Sequence, residues 1–176
     1  MNIRSSSKFV YALLIAVLAL GAFASPSVQA APKGDTIVDV ALAANAQTGE
    51  FSILIAALQA ADPAVIRTLD GRGQFTVFAP TDAAFVSLLG ELGLTADQLL
   101  SNQELVTRVL LYHVARGNRD SADVLASSRI RTLQGGFLFQ SGGVLTDANG
   151  RTSNIVTVDI EAANGIIHVI DRVVLP

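Results

Sequence analysis

The amino-acid sequence predicts an α+β fold in which helices come first along the chain and strands follow. Apolar residues recur at helical spacing through most of residues 36–126, apart from one compact β-type run at residues 75–79. After Ser128, short runs of β-branched and aromatic residues alternate with glycine-containing turns. Helices and strands do not alternate strictly, so an α+β arrangement is favoured over a parallel βαβ sheet.

The first thirty residues have the layout of a secretory signal peptide. Arg4 and Lys8 provide a positive start, and residues 9–24 form an apolar run that ends before small residues. The run is shorter than the stretch of about 20 apolar residues that a spanning helix needs. We therefore predict a signal peptide over residues 1–30, in preference to an uncleaved anchor, and a polar linker over residues 31–35. We expect a secreted or periplasmic protein with no permanent membrane anchor after cleavage.

Three helices are predicted before the first strand. Residues 36–47 carry apolar side chains at helical spacing, and Gly49 ends the pattern. Residues 51–61 continue as a second apolar helix. Pro63 occupies a first-turn position, which predicts a third helix that ends near Leu69.

Two later helix starts follow the capping-box pattern, in which a hydroxyl residue precedes Glu or Gln by three positions. The first is Thr95 with Gln98, and the second is Ser101 with Glu104. The second box predicts a helix over residues 105–114. Another short helix is predicted over residues 121–126.

The last part of the chain is predicted to be a series of short strands. Gly135-Gly136 and Gly142-Gly143 lie between such runs, where hairpin turns need positive φ. Both faces of the final run are apolar, so we expect cover on both sides, as in the middle of a packed sheet. The predicted strands are residues 132–133, 137–139, 144–145, 155–160 and 166–175.

Composition and charge exclude several classes of protein. Without the signal peptide, 10 basic and 15 acidic residues give a net charge of 10 − 15 = −5, so no nucleic-acid partner is expected. Cysteine is absent, which excludes disulfides, thiolate metal sites and a cysteine nucleophile. Residues 36–176 are enough for one domain with its own core.

No motif for catalysis or cofactor binding is found. The two histidines, His113 and His168, are far apart and lack the HExxH spacing of a zinc-binding helix. The GxSxG, Walker-type and GxGxxG patterns are also missing. Asp147-Ala148-Asn149-Gly150 begins like a calcium loop but lacks the later acceptors, so a turn is predicted there. We therefore predict no enzyme, no cofactor and no metal site.

Three stretches together resemble the fasciclin domain family. FTVFAPTDAAF (residues 75–85) is very similar to the family's first conserved box, and Tyr112-His113-Val114 is similar to its central motif. NGIIHVIDRVVLP (residues 164–176) resembles the second box, and the three occur in the expected order and spacing. The resemblance covers residues 36–176. It implies a β-sandwich-like or wedge-like sheet packed with a cluster of helices, mostly from the N-terminal half.

Most of the motif residues are predicted to be structural. The strand of the first box ends at Pro80, and Thr81 or Asp82 then caps a helix. Phe85 falls one turn into that helix and faces the core. Asn164-Gly165 makes a tight turn that directs the last strand back through the sheet. The family motif residues are Thr76, Phe78, Ala79, Pro80, Thr81, Asp82, Phe85, Tyr112, His113, Asn164, Gly165, His168 and Asp171.

Two short segments carry an adhesion hypothesis. His113 is predicted to be a buried ring that ties its helix to the turn at Thr81-Asp82, and His168 is predicted to lie in the core. The alternative is an adhesion contact by Tyr112 and His113, because the matching segment of some animal relatives is implicated in binding integrins. Asp159-Ile160 matches an Asp-Ile pair of an animal adhesion motif. For Asp159 we favour an ordinary strand residue with an exposed carboxylate.

The resemblance implies an exported, non-enzymatic protein of the cell-surface adhesion or matrix-association kind. The short signal peptide, the absence of cysteine and the single-domain length are typical of a bacterial protein. The expected partner is a cell-surface protein, a polysaccharide or a second copy of the chain, because one monovalent domain gains no avidity by itself. The alternative function is a carrier of a small apolar ligand such as a carotenoid, another isoprenoid or a lipid. Its site would lie among the helices of residues 37–58 and 88–111, unless their aliphatic side chains form only core.

Overall fold

The computed structural model describes residues 34–176 of the chain. The predicted signal peptide and the first residues of the predicted linker lie outside the described residues. Within the described part, the helices are α1 (Ile37–Thr48), α2 (Ser52–Ala60), α3 (Pro63–Leu69), α4 (Asp82–Leu92), α5 (Ala96–Leu100), α6 (Gln103–Tyr112) and α7 (Ser121–Ala126). The strands are β1 (Phe75–Pro80), β2 (Val114–Arg116), β3 (Arg129–Arg131), β4 (Phe137–Ser141), β5 (Val144–Thr146), β6 (Thr152–Ala162) and β7 (Gly165–Ile170).

The strands form one sheet in the order β2-β1-β7-β6-β5-β4-β3. All neighbouring strands are antiparallel except β1 and β7, which run parallel. An isolated bridge between Ala115 and Thr132 joins the two ends of the sheet, which therefore wraps almost into a barrel. The predicted α+β class is confirmed.

Side chains on the two faces of β1 and β7 belong to two separate cores, because successive residues of a strand point to opposite faces. On one face, Val77, Ile167 and Val169 pack with the helices in the larger core. On the other face, Phe78 and Ile170 are fully buried in the core enclosed by the wrapped sheet. The prediction that the final strand is covered on both sides is therefore confirmed.

The predicted helix ends agree with the structure at several positions. Thr36 forms a capping box with Asp39 at the start of α1, and Gly49 ends that helix in the left-handed conformation. Thr95 forms the predicted capping box with Gln98. The second predicted box is wrong, because Asn102 rather than Ser101 accepts the hydrogen bond that caps α6. Ser101 instead ends α5.

The predicted strands needed several corrections. β2 and β3 lie outside every predicted strand, and Val114, predicted to end a helix, begins β2. The run at residues 132–133 lies just after β3, and only Thr132 joins the sheet through a single bridge. The last strand ends at Ile170 rather than extending to Leu175. Beyond that point, polar side chains replace the backbone ladder: Val174 N–H donates to the His113 ring, and Leu175 N–H donates to the Asp147 carboxylate.

Among residues 34–176, no single helix is long and apolar enough to cross a membrane. Taken together, α2 and α3 have the length and apolar composition of a membrane span, but they meet at a bend of 118°.

The close approach of β1 and β7 requires glycine at position 165. A Cβ atom there would collide with the carbonyl oxygen of Phe75 and would lie 2.7 Å from Cδ1 of Ile37. Phe75 is the residue that pairs with Gly165 in the parallel ladder. Because the obstacle is backbone in a strand, it cannot rotate away as a side chain can.

We predict that Gly165→Ala lowers the free energy of unfolding by about 3 kcal/mol, the upper end of the roughly 1–3 kcal/mol that overpacking typically costs, because the obstacle is backbone. Urea unfolding of the purified domain measures the loss. Gly90→Ala is the control, because Gly90 lies inside α4 with no atom within 4 Å of an added Cβ. That change should stabilise by roughly 0.5–1 kcal/mol, and equal effects of the two variants would contradict the prediction.

Candidate functional site

The corner that follows β1 joins two helices. Thr81 accepts a hydrogen bond from Ala84 N–H at 3.3 Å and caps α4, as predicted. Asp82 has a different role, because its carboxylate accepts from the N–H groups of Ser52 at 3.1 Å and Ile53 at 2.8 Å. Those groups begin α2, whose own N-cap provides no side-chain hydrogen bond. Asp82 therefore caps a helix that starts thirty residues before it.

Thr76 and His168 fix the loop between β2 and α7. Thr76 Oγ1 donates to the carbonyl oxygen of Gly117 at 2.8 Å and accepts from Arg119 N–H at 3.0 Å. His168 Nδ1 accepts from Asp159 N–H at 3.3 Å, so its proton lies on Nε2 and is donated to the Arg119 carbonyl at 3.0 Å. Both side chains are fully buried. The prediction that His168 lies in the core agrees with this position.

His113 is buried at the end of α6, as predicted, but its partners are not those expected. Its Nδ1–H donates to the Val109 carbonyl at 2.7 Å, and its Nε2 accepts from Val174 N–H at 3.2 Å. The predicted link to the turn at Thr81-Asp82 is therefore wrong, and the ring ties α6 to the C-terminal segment instead. Burial lowers the pKa of His113 to about 4, so the ring is neutral near pH 7.

Tyr112 is also buried, and its hydroxyl both donates and accepts a hydrogen bond. The hydroxyl donates to the Phe137 carbonyl at 2.7 Å and accepts from Ala148 N–H at 3.1 Å. Burial raises the pKa of the phenol. Because Tyr112 and His113 are 0% and 2% exposed, neither side chain can contact a partner directly in this conformation.

Asn164 connects the second box to three other parts of the chain. Its Oδ1 accepts from Ile37 N–H at 2.8 Å, at the start of α1. Its Nδ2 donates to the carbonyls of Leu69 at 2.6 Å and Gly71 at 2.8 Å, after α3. Its own carbonyl accepts from Phe75 N–H at 3.1 Å, where β1 begins. The buried amide thus uses its donors and its acceptor to hold two helix ends beside the first strand.

Asp171 has a comparable role just after β7. Its carboxylate accepts from the backbone N–H and the side-chain amide of Asn154, each at 2.7 Å, and from Ser153 Oγ at 3.2 Å. Partial burial opposes ionisation, but these hydrogen bonds together lower the pKa of Asp171. The carboxylate therefore fixes the end of β7 against the start of β6.

Asp159 lies in a β-bulge rather than in a regular strand. The register between β6 and β7 shifts on both sides of Thr157, and Asp159 has φ = 59°, the one positive φ of a non-glycine residue among residues 34–176. Its carboxylate accepts hydrogen bonds from the N–H and hydroxyl of Ser121, which lower the pKa of Asp159. Asp159 is exposed as expected, but its carboxylate holds the start of α7. Ile160 is half-buried against the helix-side core.

The motif residues therefore meet one another through the core and do not form a common surface. Within residues 34–176, no group of three His, Asp or Glu side chains is placed to hold a metal ion. The features open to other molecules lie elsewhere, in a cavity between helices and on the sheet.

The cavity, called the helix cavity below, has a volume of about 280 Å³ and an apolar lining drawn mainly from α4, α5 and α6. It lies in the second of the two regions predicted for an apolar ligand. Two smaller apolar voids beside α1, of about 30 Å³ and 20 Å³, have room for little more than a water molecule. The helix cavity is lined by Ala57, Phe85, Leu88, Leu92, Leu99, Leu105, Val106, Val109, Leu110 and Leu175.

The outer sheet face is the side of β3 to β6 that points away from the enclosed core. Leu138 and Leu145 point inward and are fully buried, so their neighbours in sequence point outward. Phe139 and Val156 are 50% and 55% exposed. Residues 137–141 do not alternate between apolar and polar side chains, so no sequence pattern indicates this face. The outer sheet face comprises Arg129, Arg131, Phe137, Phe139, Val144, Thr146, Asn154 and Val156.

Comparisons with known proteins give one consistent result. The family model of the Fasciclin domain matches residues 49–176. Protein sll1483 of Synechocystis sp. is 38% identical over 146 residues, which cover 80% of this chain and 73% of that protein. The cell surface glycolipoprotein MPB83 of Mycobacterium bovis is 34% identical over 115 residues, which cover 65% of this chain and 49% of that protein.

A solved structure supports the same fold. It is a FAS1 domain pair from the insect cell adhesion molecule fasciclin I, and it superimposes with a TM-score of 0.59 at 18% identity. The match covers 73% of this chain and 46% of that one. At this level of identity, the similarity concerns the fold alone.

We predict that the free energy of unfolding falls between pH 6.5 and about pH 4 because of His113. Its folded pKa of about 4 lies below the ordinary 6.5, so the unfolded chain binds the proton first as pH falls. The contribution of His113 to the free energy of unfolding is fully present above pH 6.5, and roughly 3 kcal/mol of it is lost by pH 4. The carboxylates with lowered pKa values, such as Asp39 and Asp171, lose their contribution from about pH 5 downward, so they overlap only the acidic end of this window.

Urea unfolding at several pH values measures the slope, and His113→Gln should flatten it. Because this variant could fold poorly, NMR titration of the His113 ring in the unmodified protein gives a second readout. A ring that titrates near pH 6.5, or an unchanged slope in the variant, would contradict the prediction.

Proposed function

This chain belongs to the fasciclin domain family, and we propose that it is an exported, non-enzymatic protein of cell-surface adhesion or matrix association. The related insect protein is a cell adhesion molecule, and the related mycobacterial protein is a cell surface glycolipoprotein. The apolar start of the sequence, residues 1–30, supports export. The polar motif residues are engaged in holding the core, which favours a function at the surface.

The observation that carries the proposal is the outer sheet face. Phe139 and Val156 are half exposed on this face. The guanidinium of Arg129 lies 5.1 Å from the ring centroid of Phe137, so a charged group borders the apolar side chains. Aromatic and arginine side chains are enriched at protein interfaces.

Tyr112, in the central motif, supports the outer sheet face from the buried side of the sheet. The Tyr112 hydroxyl holds the carbonyl of Phe137, and β4 continues from there to Phe139. We therefore assign Tyr112 an indirect role in adhesion, through the position of β4. Asp159 acts in the same way on β6, because its bulge sets the path of that strand.

Adhesion by one domain requires a partner with many copies of the recognised group, or self-association, because a single weak contact gains no avidity. A cell-surface protein or polysaccharide on the producing cells meets this requirement. The proposed partner is therefore a repeated surface component rather than a small soluble molecule.

Beads coated with the purified domain test the proposal by their attachment to intact cells of the producing organism. We expect Phe139→Ser/Val156→Ser to reduce attachment at least about tenfold, since interface anchors each contribute more than about 1 kcal/mol. Val86→Ser is the matched control, because Val86 is 62% exposed on α4 and lies outside this face. No attachment by the unmodified domain, or equal loss in the control, would contradict the proposal.

A second candidate function is a carrier of a small apolar ligand, favoured by the helix cavity. Its volume is about 280 Å³, and every side chain that lines it is apolar. An engineered apolar cavity of about 150 Å³ binds benzene, so this cavity has room for about a dozen carbon atoms. A short isoprenoid or part of an acyl chain fits, whereas a carotenoid needs the helices to separate.

Organic extraction of the protein from its native exported fraction, followed by mass spectrometry, tests this function. We expect one apolar molecule per chain, and its loss in Leu105→Phe, which fills the cavity from α6. Leu42→Phe on α1 is the control, because Leu42 is exposed and does not line the cavity. A blank extract from folded protein recovered without detergent would exclude the carrier function.

A further inference from the structure

A groove of about 320 Å³ lies where the two ends of the wrapped sheet meet. Leu133 N–H donates to the Val114 carbonyl at 2.7 Å, and the Ala115–Thr132 bridge continues the contact. β2 lies on one side of this seam and β3 on the other. We call it the seam groove, and its lining residues are Arg116, Arg119, Arg131, Thr132, Leu133 and Gly135.

Three arginines line the seam groove, and its lining contains no carboxylate. Residues 34–176 hold nine arginines, no lysine and fifteen acidic residues, so a third of the basic side chains meet at one place in an acidic domain. Like charges that approach one another in this way are destabilising unless an anion joins them. The concentration therefore indicates an anionic ligand.

The three arginines are not neutralised from within the described part of the chain. The salt bridges found there join Arg151 to Glu91 and to Asp147, and none involves an arginine of the seam groove. The acidic residues that flank the start of α7 are engaged elsewhere. Asp120 accepts from Asp123 N–H at 2.8 Å, and Asp159 accepts from Ser121.

Arg119 is held in position without an acidic partner. Its backbone is fixed by Thr76 and His168, and its Nη1 donates to Ser127 Oγ at 3.3 Å. Its Nε is buried and has no hydrogen-bond partner among residues 34–176. Arg119 lines the groove together with Arg116 and Arg131, whose side chains are exposed to solvent.

We propose that the seam groove binds the carboxylate of an acidic sugar. Planar guanidinium groups bind carboxylates through two parallel hydrogen bonds, which lysine cannot provide. Leu133 and Gly135 offer an apolar surface for the C–H face of a sugar ring. The volume lies at the lower end of small-molecule pockets, which span about 300–1,000 Å³.

The overall charge of the domain argues against a nucleic acid at this groove. Binding to a phosphate backbone needs an extended basic surface, because each neutralised phosphate adds to the affinity. Here the basic residues form a single local cluster within a negatively charged domain. This site goes beyond the proposed adhesion function; it shares Arg131 with the outer sheet face but does not include Phe139 or Val156.

Isothermal titration calorimetry of the purified domain tests the site, with polygalacturonate, free galacturonate and uncharged galactose as probes at low salt. We expect Arg116→Gln/Arg131→Gln to weaken galacturonate binding at least tenfold. The matched control is Arg67→Gln/Arg108→Gln, which removes the same charge from exposed positions on α3 and α6. The control should bind within twofold of the unmodified domain.

The outcomes separate the site from general charge effects. Equal loss in both double variants, binding of galactose as tight as that of galacturonate, or no binding of either acidic probe would overturn the proposal. If polygalacturonate binds more tightly per sugar unit than free galacturonate, the ligand is a polysaccharide. If the two affinities per sugar unit are equal, the ligand is a single acidic sugar. Thermal melting of each variant confirms that the domain remains folded, and the bead experiment on the outer sheet face is independent of these results.

Discussion

The parallel pairing of β1 with β7 is the contact on which the other elements depend. Phe75 pairs with Gly165 and Pro80 with Ile170, across about ninety residues of chain. One face of this pair supports the helices, and the other fills the core enclosed by the wrapped sheet. Both faces must be covered at once, because each strand carries mainly apolar side chains on both faces. The helices and the antiparallel strands are therefore two layers built on the same central pair.

Buried polar side chains complete this arrangement where regular structure stops. Asn164 replaces missing backbone partners at the start of α1 and after α3, and His113 does so for the segment that follows β7. Asp82 caps α2 from another helix. A buried group without a partner costs about 1–3 kcal/mol, so these side chains decide how the irregular segments lie. The motif residues are therefore explained by the structural role of these buried side chains.

The consequence for function is that the motif identifies the scaffold and leaves the partner to other residues. The outer sheet face, the helix cavity and the seam groove are formed chiefly by side chains that the three motif stretches do not contain. Phe139 and Arg131 lie on strands between the central motif and the second box, and Leu99 and Leu105 lie between the first box and the central motif. Proteins with the same core can therefore bind different partners by changing these segments.

The sequence by itself determined the α+β class, the order of the helices, the glycine turns and the burial of the motif, because these depend on local periodicity and turn chemistry. It did not determine the partners of His113, the bulge at Asp159 or the capping of α2 by Asp82, since each joins residues distant in the chain. The end of β7 at Ile170 has the same cause: the apolar pattern continues to Leu175, but Asp147 and His113 take the backbone groups that a strand would use. The convergence of Arg116, Arg119 and Arg131 was likewise decided only by the tertiary structure, because the wrapping of the sheet brings its two ends together.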